Sequence, residues 1–259
     1  THEYITTGKA ETKFGIDFEK ARAIFSDAKR FTNALVCGVH VHIGSQIENG
    51  EPFVEAFQKI VEFIDELEAS GTRIKFLNLG GGLGAIYGGE NPQTAEEFAR
   101  KILPIFKKRK FQLIFEPGRF IAANSGILAT QVIYVKETDV KKFAIVDAGM
   151  NDFIRPAFYG AFHHIWPVAR NAAAKSWVYD VVGPICESGD FFAKDRELLE
   201  MKAGDLLAIM STGAYGFTMA SNYNSRPRAC EVMVKGSTFK VVRKRETYQD
   251  LIRGERAST

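Results

Sequence analysis

The chain has 259 residues, of which 46% are apolar and 25% charged, so it can bury a large core with an ordinary globular balance. Its formal charge of +3 comes from basic residues scattered among acids, which excludes a nucleic-acid footprint. Three cysteines without CxxC spacing (Cys37, Cys186, Cys230) exclude a disulfide framework or zinc knuckle and set a reduced, cytoplasmic compartment as the expectation, and no apolar run reaches membrane-spanning length, so no membrane partner is expected.

The chain opens at Thr1, without an initiator methionine and inside a strand-like phrase, and it reads as starting part-way into a fold. Lys13–Ile16 reads as a strand and Phe18–Phe31 as a helix. Leu35–Ile43 is a Val/Ile-rich strand, and Pro52–Ala69 an amphipathic helix with Phe53, Phe57, Ile60, Ile64 and Leu67 at helical spacing. A strand at Arg73–Leu79, a helix at Thr94–Lys107 and a strand at Gln112–Glu116 follow. Four βα units in a row predict parallel strands with right-handed crossovers. Each later strand ends in polar chemistry: His42-Ile43-Gly44-Ser45, Asn78-Leu79-Gly80-Gly81-Gly82 and Glu116-Pro117-Gly118-Arg119. Functional residues at successive C-terminal strand ends are the habit of a (β/α)₈ barrel, here only its later strands. After Gly126 the helices give way to strands at Ala129–Lys136, Lys142–Val146, Trp177–Val182, Asp205–Met210 and Ala229–Val234. The expected fold class is therefore α/β plus β, with a partial barrel over 1–126 and a mostly β domain over 127–259.

The residues leave several readings open. Gly80–Gly84 after a strand is either a flexible turn or a place where backbone N–H groups approach an anion, and Gly118 on the next strand end adds weight to the anion. Glu116 is either a structural partner of Arg119 or the carboxylate that keeps a cofactor ring nitrogen protonated. His40 and His42 share one strand face and could hold a metal, yet the other strand ends supply no further histidine, so no metal is expected. Cys186, in Gly183-Pro184-Ile185-Cys186-Glu187-Ser188-Gly189-Asp190, is either inert packing or a thiol able to carry a proton. Arg119 and Arg155 are either solvated surface groups or planar forks for carboxylates.

These phrases, with Val146-Asp147-Ala148-Gly149-Met150-Asn151-Asp152, Arg155-Pro156-Ala157-Phe158-Tyr159, Gly213-Ala214-Tyr215-Gly216 and Asn222-Tyr223-Asn224-Ser225-Arg226-Pro227, resemble bacterial diaminopimelate decarboxylases in order, from Thr1 to about Leu251. The resemblance implies an alanine-racemase-like barrel that binds pyridoxal 5'-phosphate, plus a β domain, and decarboxylation of meso-2,6-diaminopimelate to L-lysine, the last step of lysine biosynthesis. It implies that His42 stacks on the cofactor ring, that Ser45, Gly81, Gly82, Gly118 and Tyr215 surround its phosphate, and that Glu116 pairs with its ring nitrogen. By the same resemblance Arg119, Arg155, Tyr159, Glu187 and Tyr215 bind substrate, and Cys186 returns a proton across the interface of a homodimer with shared sites. The family's cofactor lysine lies in a phrase resembling Tyr-Ala-x-Lys-Ala-Asn, which does not occur here, so the chain alone is expected to be inactive. An ornithine or arginine decarboxylase of the same fold, a metal-dependent barrel hydrolase built on His40 and His42, and a non-catalytic derivative are the competing expectations.

Overall fold

The computed structural model describes residues 13–169 and 173–255, which fall into two compact units that divide between Ala122 and Ala123. In the first unit Lys13–Ile16 is not a strand: it forms bends and open chain, with Phe14 and Ile16 more than half exposed. The first of the four expected βα units therefore keeps its helix and lacks its strand among the described residues. The phrase Lys13-Phe14-Gly15-Ile16 has no described partner strand to pair with, and an unpaired strand gains no ladder hydrogen bonds.

Helix α1 (Phe18–Ser26) starts where the Asp17 carboxylate accepts the Lys20 N–H at 2.8 Å, a bond that holds that carboxyl below its ordinary pKa. Strand β1 (Gly38–His40) leads to α2 (Glu51–Ala69), which begins with Pro52 in its first turn. Helix α2 buries Phe53, Phe57, Ile60, Val61, Phe63, Ile64 and Leu67 along one face. It stops at Gly71, whose φ of 89° returns the Thr72 N–H to the Leu67 carbonyl at 3.0 Å. Strand β2 (Phe76–Asn78) is followed by α3 (Ala95–Ile102), opened by a reciprocal Thr94–Glu97 capping box and turned into a 3₁₀ turn by Pro104. Strand β3 (Gln112–Ile114) and the short α4 (Gly118–Ala122) complete the unit.

The three strands are parallel in the order β1-β2-β3, with Val39, Leu77 and Leu113 in register, and His40, Asn78 and Ile114 one step further on. Side chains alternate across a strand, so these two sets lie on opposite faces. The first set packs into the helical core, where Phe53 meets Phe98 edge-on at 5.0 Å and Phe57 meets Phe106 at 5.8 Å. Emptying the fully buried Phe57 site by Phe57→Ala would cost about 3–5 kcal/mol. The second face carries His40 and Asn78 toward one end of the sheet.

The second unit contains β4 (Leu128–Glu137), β5 (Lys142–Val146), α5 (Arg155–Tyr159), β6 (Ile165–Pro167), β7 (Ser176–Val182), β8 (Phe191–Leu199), β9 (Leu206–Ile209), α6 (Gly216–Met219), β10 (Glu231–Lys235), β11 (Thr238–Arg243) and α7 (Tyr248–Leu251). Six of the strands make one sheet in the order β6-β9-β4-β5-β7-β8, antiparallel except for β5 beside β7. Strands β10 and β11 form a separate, largely exposed hairpin. The sheet's inner residues, Val132, Ala144, Val146, Tyr179, Val181, Phe192, Leu207 and Ile209, gather Phe153 and Ile165 into a second core. The mostly β character of this unit and the α/β character of the first are as the sequence predicts. No described helix is long and apolar enough to cross a membrane.

Candidate functional site

In the first unit the ends of the parallel strands are zipped together by backbone. The Val41 N–H reaches the Asn78 carbonyl at 2.9 Å, Leu79 reaches Ile114 at 2.9 Å, and Glu116 reaches Gly80 at 2.8 Å. The glycine run makes this approach possible. A Cβ on Gly81 would sit 2.2 Å from the Glu116 carbonyl oxygen, and one on Gly82, at φ 103°, would sit 2.4 Å from the Gly44 oxygen. The run thus fastens the loop after β2 to both neighbouring loops. Gln46 adds a side-chain clamp, giving its amide N–H to Ala85 O at 2.6 Å and accepting Ala85 N–H at 3.1 Å. Ser45 lies partly buried in the same loop, and a Cβ on Gly118 would meet only open space.

Glu116 is oriented by Asn78. The Asn78 amide donates to Glu116 Oε1 at 2.7 Å while its own Oδ1 accepts the Gly80 N–H at 2.9 Å. His40 Nε2 stands 3.7 Å from the same carboxylate oxygen. Arg119 instead gives Nη1–H to the Tyr87 hydroxyl at 3.1 Å, so the Glu116 carboxylate is held by Asn78 rather than by Arg119. His42 is half-buried, and its Nδ1 accepts the Gly81 N–H at 3.2 Å. That bond leaves the proton on Nε2 and the ring neutral. Burial pushes the His42 pKa down; the Glu116 carboxylate opposes this, and His40 adds to it. Among the described residues no group of three or more His, Cys, Asp or Glu is placed to hold a metal ion.

In the second unit Arg155 opens α5 and is only 5% exposed, so it is no solvated surface group. Its Nη1 lies 3.2 Å from His163 Nε2, and its guanidinium lies 5.7 Å from the centre of the Tyr215 ring. Tyr159 closes α5, half-buried, with its ring edge-on to Phe158 at 4.7 Å. Tyr215 sits at φ 65° just before α6, a left-handed conformation that costs a non-glycine residue about 1–3 kcal/mol and clusters at functional sites.

Cys186 is a free, exposed thiol in the loop between β7 and β8. Asp190 holds that loop from beneath, accepting the Ile185 N–H at 2.7 Å and the Met150 N–H at 2.6 Å. Asp190 is buried and faces backbone; no bond from it to the Cys186 thiol is present. The exposed Glu187 carboxylate accepts a short hydrogen bond from the Tyr223 hydroxyl, and that bond, with the carboxylate's charge, raises the Tyr223 pKa. Sequence reasoning missed Asn78, Tyr87, His163 and Tyr223 as site-forming residues. Asn78 and Tyr223 lie inside the matched phrases, but nothing in their local pattern names the groups they orient.

Two parts of the chain thus present, each on its own scaffold, groups suited to amino-acid chemistry: an oriented carboxylate beside a neutral imidazole, and a buried guanidinium with an exposed thiol loop. Residues 17–213 match the family model described as pyridoxal-dependent decarboxylase, C-terminal sheet domain, and the chain belongs to that family. Within it, the chain is 50% identical to the diaminopimelate decarboxylase of Pseudomonas aeruginosa over 256 residues, covering 98% of this chain and 61% of that protein. It is 48% identical to the diaminopimelate decarboxylase of Vibrio cholerae, covering 97% and 60%. The crystal structure of diaminopimelate decarboxylase from Helicobacter pylori complexed with L-lysine superposes with a TM-score of 0.91 at 44% identity, covering 98% of this chain and 63% of that one. The chain therefore spans about three-fifths of the length of these relatives.

Proposed function

We propose that this chain carries the greater part of the machinery for pyridoxal-phosphate-dependent decarboxylation of meso-2,6-diaminopimelate to L-lysine. The observation that carries the reading is Glu116, fixed by Asn78 at the shared end of three parallel strands beside the neutral ring of His42. Its first unit is then the later part of a cofactor-binding (β/α)₈ barrel.

The residues present fit the cofactor. A carboxylate held in one orientation suits a protonated ring nitrogen, a neutral flat imidazole suits a ring face, and the open space at Gly118 admits a phosphate to the backbone. When bound, pyridoxal phosphate supplies an electron sink for the pair left behind as carbon dioxide departs. Ser45, Gly81, Gly82, Gly118 and Tyr215 are assigned to the phosphate, and His42 and Glu116 to the ring. Arg119, Arg155, Tyr159, Glu187 and Tyr215 are assigned to substrate, and Cys186 to returning a proton to its α-carbon. A buried guanidinium favours a substrate whose remote end carries a carboxylate over ornithine or arginine, whose remote ends are cationic. The complete protein is assigned as a homodimer, and its free cysteines suit a reducing, cytoplasmic setting.

No phrase resembling Tyr-Ala-x-Lys-Ala-Asn occurs in the sequence, so the test joins this chain to the portion of the Pseudomonas aeruginosa relative that it does not cover. The fused protein should release carbon dioxide from diaminopimelate in the presence of pyridoxal phosphate and leave ornithine untouched. A folded fusion that prefers ornithine, or that turns over neither, would overturn the reading.

A further inference from the structure

His163 is the most enclosed polar side chain among the described residues, with 0% exposure, and the reading above gives it no role. Each side of it is fixed. Its Nδ1 lies 2.8 Å from the Met210 carbonyl, and a carbonyl only accepts, so Nδ1 carries the proton. Its Nε2 lies 3.2 Å from Arg155 Nη1, and a guanidinium only donates, so Nε2 presents the lone pair. One neutral tautomer satisfies both neighbours at once. The ring is wedged edge-on against Phe153 at 4.7 Å, and the His163 carbonyl accepts Arg196 Nη1–H at 3.0 Å. The adjoining backbone is tied to β9 by the Met210 N–H, which reaches the His164 carbonyl at 2.8 Å.

We propose that His163 is a positioning residue for Arg155, transmitting the fixed place of the end of β9 to the guanidinium and so setting its aim at the substrate's remote carboxylate. The choice of an imidazole has a reason. A carboxylate in this position would hold the guanidinium equally well but cancel the charge that attracts the substrate. A neutral imidazole orients the cation and leaves its charge intact. The inference rests on the decarboxylase reading only for the identity of the carboxylate; the relay itself is a matter of hydrogen-bond chemistry.

Two measurements on the fused protein separate the two. Imidazole ¹⁵N spectra should show His163 as the neutral Nδ1–H tautomer across the neutral range, with an Nε2 shift that moves in Arg155→Ala; a cationic ring or the Nε2–H tautomer would overturn the proposal whether or not the protein turns over substrate. In activity, His163→Phe keeps the ring packing and removes both hydrogen bonds, and it should raise KM for diaminopimelate about tenfold while kcat moves far less. His163→Gln, which can donate with its amide and accept with its oxygen, should recover most of that loss. Inhibition by L-lysine, which has lost only the reacting carboxylate and keeps the remote one, should weaken in parallel with KM, whereas inhibition by cadaverine, which lacks the remote carboxylate, should stay unchanged in both variants. An unchanged KM in His163→Phe, or cadaverine binding that weakens in parallel with KM, would show that His163 only supports the fold. Failure of the unsubstituted fusion to decarboxylate diaminopimelate would instead strike at the decarboxylase reading and leave the tautomer result to decide the relay.

Discussion

The amide of Asn78 donates to Glu116 Oε1 at 2.7 Å, across two parallel strands whose ends are held together by a glycine with no room for a side chain. The carboxylate is exposed, so its orientation depends on this bond rather than on burial. Replacing Glu116 by Gln in the fused protein removes the charge and keeps the shape. Decarboxylation should slow about a hundredfold, the rate equivalent of ~3 kcal/mol of lost electrostatic stabilisation. Asn78→Ala keeps the charge and loses the aim, and should slow the same step about tenfold, in line with one hydrogen bond to a charged group. Single-turnover carbon dioxide release measures both. Equal rates for Glu116→Gln and the parent would remove Glu116 from the chemistry.

His42 gives the first unit a defined acid sensitivity. Burial lowers its pKa in the folded chain, whereas the unfolded chain titrates near the ordinary imidazole value of about 6.5. Between these two values the unfolded state binds the extra proton, so stability rises with pH across that window. The contribution is complete above about 6.5 and is lost as pH falls through the folded value. Gln at position 42 can still accept the Gly81 N–H but does not titrate. Urea denaturation from pH 7.5 downward should therefore show a smaller acid loss for His42→Gln than for the parent, and superimposable pH profiles would contradict the assignment.

The Cys186 loop depends on Asp190. With Asp190→Ala the N–H groups of Ile185 and Met150 lose their acceptor, and an unsatisfied buried donor costs about 1–3 kcal/mol. The expected result is a lower melting temperature together with faster alkylation of Cys186, because the loop that presents the thiol is released. Unaltered alkylation with lowered stability would mean that Asp190 supports the sheet but not the loop.

Parts of this structure are plain in the sequence and parts are not, for identifiable reasons. Helix α2 follows directly from Phe53, Phe57, Ile60, Ile64 and Leu67, because an apolar stripe that wide has only one place to go. Strand β5 matches its predicted bounds because Lys142–Val146 lies between other strands and is pinned on both sides. Strand β8 is absent from the expected strands: Lys194, Asp195, Arg196 and Glu197 break the apolar alternation, yet charges are what an edge strand carries, and Asp195 adds a φ of 48°. Strand β6 escaped because it is three residues long and ends in Pro167, and β11 because it is exposed along its whole length. Among the candidate site residues, the strand-end phrases single out His42 and Glu116, and the turn-rich phrase Gly183–Asp190 singles out Cys186. That Asn78 bonds Glu116, that Gly81 bonds His42 and that Asp190 bonds the backbone of the Cys186 loop is not legible, because a hydrogen-bond partner is set by register and loop path, which a single sequence does not state.

Cys186 offers the last test, on assembly. A thiol that returns a proton to substrate must reach it, and this one is exposed on a loop whose backbone is fixed from below by Asp190. The proposal to be tested is that the complete protein is a dimer in which the thiol of one subunit serves the site of the other, an isologous interface then making two such shared sites. Consider a fused protein with Cys186→Ala and a second one lacking the cofactor lysine in the part contributed by the relative. Neither homodimer holds an intact site. If the thiol acts across the interface, each mixed dimer has one site with both groups and one with neither. Random exchange of equal amounts makes half the dimers mixed, so about a quarter of the parent activity should return on mixing after brief denaturation and refolding. If the thiol acts within its own subunit, every site in the mixed dimer lacks one group and no activity returns. The recovered fraction, read against light scattering that confirms dimers, separates the two arrangements.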